Sequence, residues 1–335
     1  MTGRVTPAGP TRLGRPAEQY PHFAAARRRA WHCAAMMRRV SRTAARVALL
    51  ALTVAGLAVG APAAAADSGR GAEHATGWYV ALGDSLAAGY QPDRLDDRKR
   101  GYAGLVLDAV QRTSPKTRLV NLSCSGETSV TFLDGTLCDY YAGSQLGAAL
   151  AFLHAHGKHT RLITIDIGGN DARACISPTG VDLVCYEATL RRLGGNLAGI
   201  LGQLRKAAPR TPIVVLNYAD PYLAAWLTGT AGQEFARGSV EGIAQLNGVI
   251  AGVAGAFGAP LADVSAAYST TDWTPVPFGG MTVPLNVARI CQWTWMCTPY
   301  QDIHPNDAGY AVMARAVVAV LPAKLARATT VAPAA

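Results

Sequence analysis

The chain has 335 residues, half of them hydrophobic, with seven cysteines and a formal charge of +9. Residues 1–66 hold ten arginines, no lysine and one acid, Glu18, so the remainder of the chain is close to neutral. The charge therefore gives no argument for a nucleic-acid partner or an acidic substrate; it is the balance of an export leader.

From Met1 to Arg46 the sequence is rich in Arg, Ala and Pro and has no apolar periodicity. An apolar run, Val47 to Val59, follows, and then Pro62 and the small residues Ala63 to Ala66. Basic region, short apolar region and A-x-A site together predict a secretory signal peptide over 36–66, cleaved after Ala66. A membrane anchor is the competing reading, but Gly56, Gly60 and Pro62 interrupt the run before it spans a bilayer. Met36 and Met37 stand just before Arg38-Arg39, so residues 1–35 read as an extension upstream of the true start, and Cys33 goes with them. No later run is long and apolar enough to cross a membrane, and one folded domain is expected over 67–322. The Ala/Pro-rich end, 323–335, reads as a flexible tail.

Within the domain, Tyr79–Leu82, Leu119–Leu122, Leu162–Ile165 and Ile213–Leu216 have the short, continuous apolar character of buried strands, with a weaker fifth at Leu261–Val264. Helical stretches are predicted at about 102–113, 144–156, 187–207, 233–256 and 307–320. This alternation implies an α/β fold, a parallel sheet of about five strands with helices on both faces. The segment Ser265 to Tyr300, with four prolines and three tryptophans, reads as an irregular loop. The six cysteines past the leader point to disulfides in an exported chain. They fall in three local couples, which gives Cys124–Cys138, Cys175–Cys185 and Cys291–Cys297. A metal site is disfavoured, because the spacings fit no zinc pattern.

In open parallel sheets ligands bind beyond the carboxyl ends of the strands. After the first strand comes Gly83-Asp84-Ser85-Leu86, after the second Ser125-Gly126-Glu127, and after the third Gly168-Gly169-Asn170-Asp171. Before the last helix comes Asp302-Ile303-His304-Pro305. Acyl transfer needs a nucleophile, a base and donors for the oxyanion. Ser85 can be the nucleophile, His304 the base, and the Gly126 N–H and Asn170 amide the donors. Each alone has a blander reading: a helix cap, a surface histidine, a turn glycine, an Asx turn. Their joint occurrence, three of them each behind its own strand, outweighs those.

These four blocks resemble the SGNH (GDSL) hydrolases across essentially the whole domain, and are similar to those of secreted actinobacterial lipases and esterases, which also carry three local disulfides. The resemblance implies a flavodoxin-like three-layer α/β/α sandwich. It also implies an oxyanion hole of the Ser85 and Gly126 N–H groups with the Asn170 side chain, and no metal or organic cofactor. One position departs from the family pattern, in which an acid stands three residues before the histidine. Here that residue is Gln301, and the aspartate, Asp302, comes one later. By analogy with relatives lacking the acid, the Gln301 backbone carbonyl is expected to support His304 in a Ser–His dyad, with Asp302 as the alternative. An α/β-hydrolase triad is disfavoured because no G-x-S-x-G elbow occurs.

The implied function is a secreted lipase or carboxylesterase, a monomer acting on a small-molecule or lipid ester. A carbohydrate O-acetylesterase or phospholipase is the runner-up, and a catalytically silent binding module the alternative from another class. A dinucleotide-binding enzyme lacks the G-x-G-x-x-G its first strand would need. Weaker signals carry two readings each. Trp273, Trp293 and Trp295, like Tyr218, Trp226 and Leu227, could line an acyl groove or simply pack. His154, His156 and His159 read as a polar helix end, and Arg94–Arg100 as a solvated loop.

Overall fold

The computed structural model describes residues 76–177 and 180–325. The extension 1–35, the signal peptide 36–66 and the tail beyond 325 lie outside the described residues. The apolar runs form a five-stranded parallel sheet: β1 (Gly77–Gly83), β2 (Thr117–Asn121), β3 (Thr160–Asp166), β4 (Ile213–Leu216) and β5 (Leu261–Ala262), in the order β2-β1-β3-β4-β5. Tyr79 lies opposite Leu119 on one side and Leu162 on the other. The register then carries Ile163 to Ile213 and Val215 to Leu261.

Residues of β1 alternate in destination, as a pleated strand requires. Tyr79 and Ala81 join a core with Tyr102, Val106, Val287, Tyr310 and Met313. Val80 and Leu82 join the opposite core with Leu146, Leu153, Leu193, Leu197 and Ile250. The first core is covered by α2 (Tyr102–Gln111), α8 (Leu285–Trp293) and α9 (Asp307–Ala319), the second by α4 (Gln145–His156), α6 (Leu183–Ala207) and α7 (Thr230–Ala256). Both faces being covered is why these strands read as continuous apolar runs and not as alternating ones. The fold is a flavodoxin-like α/β/α sandwich, as the family resemblance implied.

Boundaries moved where caps decided them. α6 starts at Leu183, earlier than expected, because the Asp182 carboxylate accepts from Cys185 N and caps it. The span Ser265–Tyr300 is not the irregular loop expected. It holds α8 and a β-hairpin, Pro275–Phe278 with Met281–Pro284. Packing reaches Leu325, which is buried and whose carbonyl accepts from Thr113 Oγ1 at 2.7 Å. Disulfides join Cys124 to Cys138, Cys175 to Cys185 and Cys291 to Cys297. Among the described residues no helix is long and apolar enough to cross a membrane.

Candidate active site

Ser85 sits where β1 gives way to the short helix α1 (Ser85–Ala88). It is not the cap: the preceding residue, Asp84, takes that place, its Oδ1 accepting from Leu86 N at 2.9 Å. The serine hydroxyl is thereby released, and its Oγ lies 2.8 Å from His304 Nε2. His304 comes from a short strand, Asp302–Pro305, paired with Thr294–Trp295, and the Tyr90 ring packs on its imidazole with centroids 4.5 Å apart.

The third member corrects the sequence reading. Asp302 Oδ1 lies 2.7 Å from His304 Nδ1 and also accepts from the His304 backbone N–H at 2.9 Å. Asp302 and His304 are two apart on an extended strand, so their side chains share a face. The alternation that sets Gln301 and Asp302 on opposite sides is the very one that aligns Asp302 with His304. Gln301 itself takes a left-handed backbone, φ 47°, as the chain enters the strand, and it is the Asp302 carboxylate, not the Gln301 carbonyl, that meets the ring. Burial raises the Asp302 carboxyl, but its hydrogen bond to His304 and the attraction of that ring outweigh this and hold it below its ordinary value. With an ionised acceptor at Nδ1, the neutral imidazole carries its proton there and offers Nε2 to the serine.

Asn170 is the second residue of α5 (Gly169–Arg173), and its Nδ2 donates to the Glu127 carbonyl at 2.9 Å. That bond ties it to the Gly126 loop. Gly126 adopts φ 89° and is exposed, and neither its N–H nor that of Ser85 has a hydrogen-bond partner among the described residues. Gly169 allows the approach of α5: a Cβ there would come within 2.7 Å of the Tyr218 ring. Asp171 is buried and accepts from Ser129 N at 2.7 Å and Ser129 Oγ at 2.6 Å, locking α5 to α3 (Ser129–Asp134).

Ser85, Asn170 and His304 open onto one cavity of about 220 Å³, with Tyr186, Tyr222 and Phe235 among its walls. Neither Gly126 nor Glu127 is among the residues lining it; their loop is tied to it by the bond from Asn170 to the Glu127 carbonyl. Tyr218 lines the cavity, whereas Trp226, Leu227 and the three tryptophans of 273–295 do not. Trp226 and Trp273 pack on each other with centroids 5.4 Å apart, each 5.0 Å from the Arg237 guanidinium, Trp293 packs on Tyr268, and Trp295 Nε1 donates to Gln91 at 3.2 Å. His156 packs against Trp78 and Phe152. Among the described residues no three His, Cys, Asp or Glu side chains converge as a metal site.

The sequence reading missed a buried carboxyl pair beneath the serine. Asp166, at the end of β3, accepts from Asp84 N and Ala87 N at 3.3 Å each and from the Tyr102 hydroxyl. The Tyr218 hydroxyl donates to Asp84 Oδ2 at 2.9 Å. Burial raises both carboxyls, and for Asp166 the charge of Asp84 raises it further. The signal available was an aspartate closing an otherwise apolar buried strand, Leu162-Ile163-Thr164-Ile165-Asp166.

A serine, an imidazole and a carboxylate in one hydrogen-bonded chain, at the carboxyl edge of a doubly covered parallel sheet, define the class as the α/β serine hydrolases. The family follows from residues 81–312, which match the GDSL-like Lipase/Acylhydrolase family, and the chain belongs to it. It is therefore an ester hydrolase of the GDSL lipase/esterase type. Solved structures similar in fold include a lipase from a goat rumen metagenome, with 17% identity, TM-score 0.44, and 75% of this chain and 99% of that one covered. Another is an extracellular lipase from Streptomyces rimosus, with 22% identity, TM-score 0.43, and 58% and 82% covered. A third is phospholipase A1 from Streptomyces albidoflavus NA297, with 22% identity, TM-score 0.41, and 71% and 95% covered. Likeness at this level carries no argument about substrate. Among curated proteins, no relative matches the sequence.

Proposed function

We propose that the protein is an exported lipase or carboxylesterase whose nucleophile is Ser85, general base His304 and orienting acid Asp302. The observation that carries this reading is the chain Ser85 Oγ–His304–Asp302, with links of 2.8 and 2.7 Å. His304 Nε2 takes the hydroxyl proton as Ser85 Oγ attacks the ester carbonyl, and Asp302 stabilises the imidazolium that results. The oxyanion is held by the Ser85 and Gly126 N–H groups and the Asn170 amide. His304 then protonates the leaving alcohol, and the acyl-enzyme is released by water activated through the same imidazole.

The cavity walls supplied by Tyr186, Tyr222, Phe235, Ile243 and Leu246 suit an apolar acyl chain over an acetyl group on a carbohydrate. They favour breakdown of lipid esters, with a phospholipase as the second reading, and a binding module has no use for an aligned nucleophile and base. Export rests on the leader over 36–66 and on the three disulfides, which belong to an oxidising compartment. The blocks and disulfides resemble secreted actinobacterial members of the family, and a monomeric domain over 67–322 completes the reading.

The test is hydrolysis of p-nitrophenyl esters from acetyl to palmitoyl by the secreted protein and its Ser85→Ala variant. Activity lost in the variant, with an optimum at butyryl or longer, is the expected result. Activity retained in Ser85→Ala would overturn the assignment, and an optimum at acetyl would favour the acetylesterase.

A further inference from the structure

In a parallel ladder each strand residue that faces its neighbour donates and accepts across the same gap. β1 and β2 keep this pattern through Leu122 N to the Ala81 carbonyl, 2.9 Å, and Cys124 N to the Gly83 carbonyl, 3.1 Å. The bond that should lie between these two, from Gly83 N to the Leu122 carbonyl, is replaced. Gly83 N donates instead to Gln145 Oε1 at 2.6 Å, and the Leu122 carbonyl accepts from the Tyr140 hydroxyl at 2.9 Å. Two side chains have been inserted where the ladder opens.

The inserted groups are joined to each other. Gln145 Nε2 lies 3.0 Å from the Gly83 carbonyl, 3.0 Å from the Tyr140 oxygen and 2.9 Å from Glu127 Oε2, which lies 3.1 Å from the Tyr140 oxygen and competes with the Leu122 carbonyl for its one proton. Gln145 and Glu127 are fully buried. Burial raises the Glu127 carboxyl, against which the hydrogen bonds from Thr131, Gln145 and Tyr140 act. The wedge thus touches both walls of the catalytic crevice. Gly83 is two residues before Ser85, and Glu127 follows Gly126 directly while its carbonyl receives Asn170 Nδ2. The Cys124–Cys138 disulfide closes the loop that carries Glu127.

We infer that Gln145, with Tyr140 and Glu127, is a positioning wedge that fixes the separation between the Ser85 turn and the Gly126–Asn170 side of the oxyanion hole. The inference rests on the proposed roles of Ser85, Gly126 and Asn170. None of the three wedge residues touches substrate; they act through the donors they hold. A rigid carboxamide bonded to both groups of Gly83 sets that distance better than a free strand end, because the Gly83 and Glu127 groups it meets are buried and costly to leave unpaired.

The experiment compares Gln145→Met, Tyr140→Phe and Ser85→Ala in the full-length secreted protein on p-nitrophenyl butyrate. Rates are normalised to folded protein by near-ultraviolet circular dichroism. Misplaced oxyanion donors lower kcat and spare ground-state binding, so Gln145→Met is expected to lose roughly 30- to 100-fold in kcat and Tyr140→Phe about 10-fold, with KM within about twofold. A merely structural role would lower the thermal midpoint and leave kcat per folded molecule unchanged. A kcat within about threefold of the parent in both variants overturns the wedge, and if Gln145→Met does not fold, Tyr140→Phe alone decides on the same line. Activity surviving in Ser85→Ala would instead overturn the underlying reading.

Discussion

Replacing Asp302 by Asn tests the arrangement at its least expected point. The substitution preserves size and leaves an oxygen able to accept from both His304 Nδ1 and His304 N, so what it removes is the charge. The carboxylate stands 2.7 Å from Nδ1 and its side chain is 24% exposed. Unit charges whose centres lie about 4 Å apart interact by roughly 2–4 kcal/mol at an effective dielectric of about 20 to 40, or roughly 30- to 900-fold in rate. That stabilisation exists only once the imidazole is protonated, which happens in the transition state, so the loss falls on kcat and kcat/KM together. The assay is initial-rate hydrolysis of p-nitrophenyl butyrate at pH 8 by folded Asp302→Asn. A loss below about threefold would mean that the carboxylate is a bystander and a Ser–His dyad suffices.

Three further expectations follow from named contacts. Asn170→Ala removes one oxyanion donor and should lower kcat by about 10²–10³-fold with little change in KM, measured by steady-state kinetics. Asp220 is buried and its carboxyl is raised to about 6 by burial, against the hydrogen bonds from Ser239 and Tyr222 N. Its folded value exceeds its unfolded one, so its ionisation costs stability fully above about pH 6, and this cost vanishes below about pH 4. Asp220→Asn should therefore stabilise the protein by up to about 3 kcal/mol at pH 8 and by little at pH 4 in urea titrations; equal effects at both pH values would contradict this. Gly242 lines the cavity, and a Cβ there would meet the Tyr186 ring end at 3.6 Å. Gly242→Leu should fill that space and move the acyl optimum to shorter esters, with Ser85-dependent acetyl activity retained.

The sequence by itself determined the sheet, the two helical layers and the positions of Ser85, Asn170 and His304. The reason is local. A strand buried on both faces must be continuously apolar, and in a parallel sheet every such strand ends on the same edge. Whatever polar block follows each strand is thus brought to one place before any packing detail is known. Disulfide partners 6, 10 and 14 residues apart were legible as local couples.

Tertiary structure decided what depends on distance and angle between separated segments. Asp302 faces the imidazole because the segment 302–305 is extended, and it is the pairing with Thr294–Trp295, a contact between separate segments, that makes it so. Gln145 reaches Gly83 across 62 positions and Tyr102 reaches Asp166 across 64; each looks in the sequence like an ordinary polar residue near an element end. The tryptophans show the converse. Their composition suggested a groove, yet a large aromatic surface packs wherever it finds a partner, and here the partners were Arg237, Tyr268 and Gln91. Pattern reveals which face of a segment is buried, while the neighbour it meets there is chosen by the closing of the whole fold.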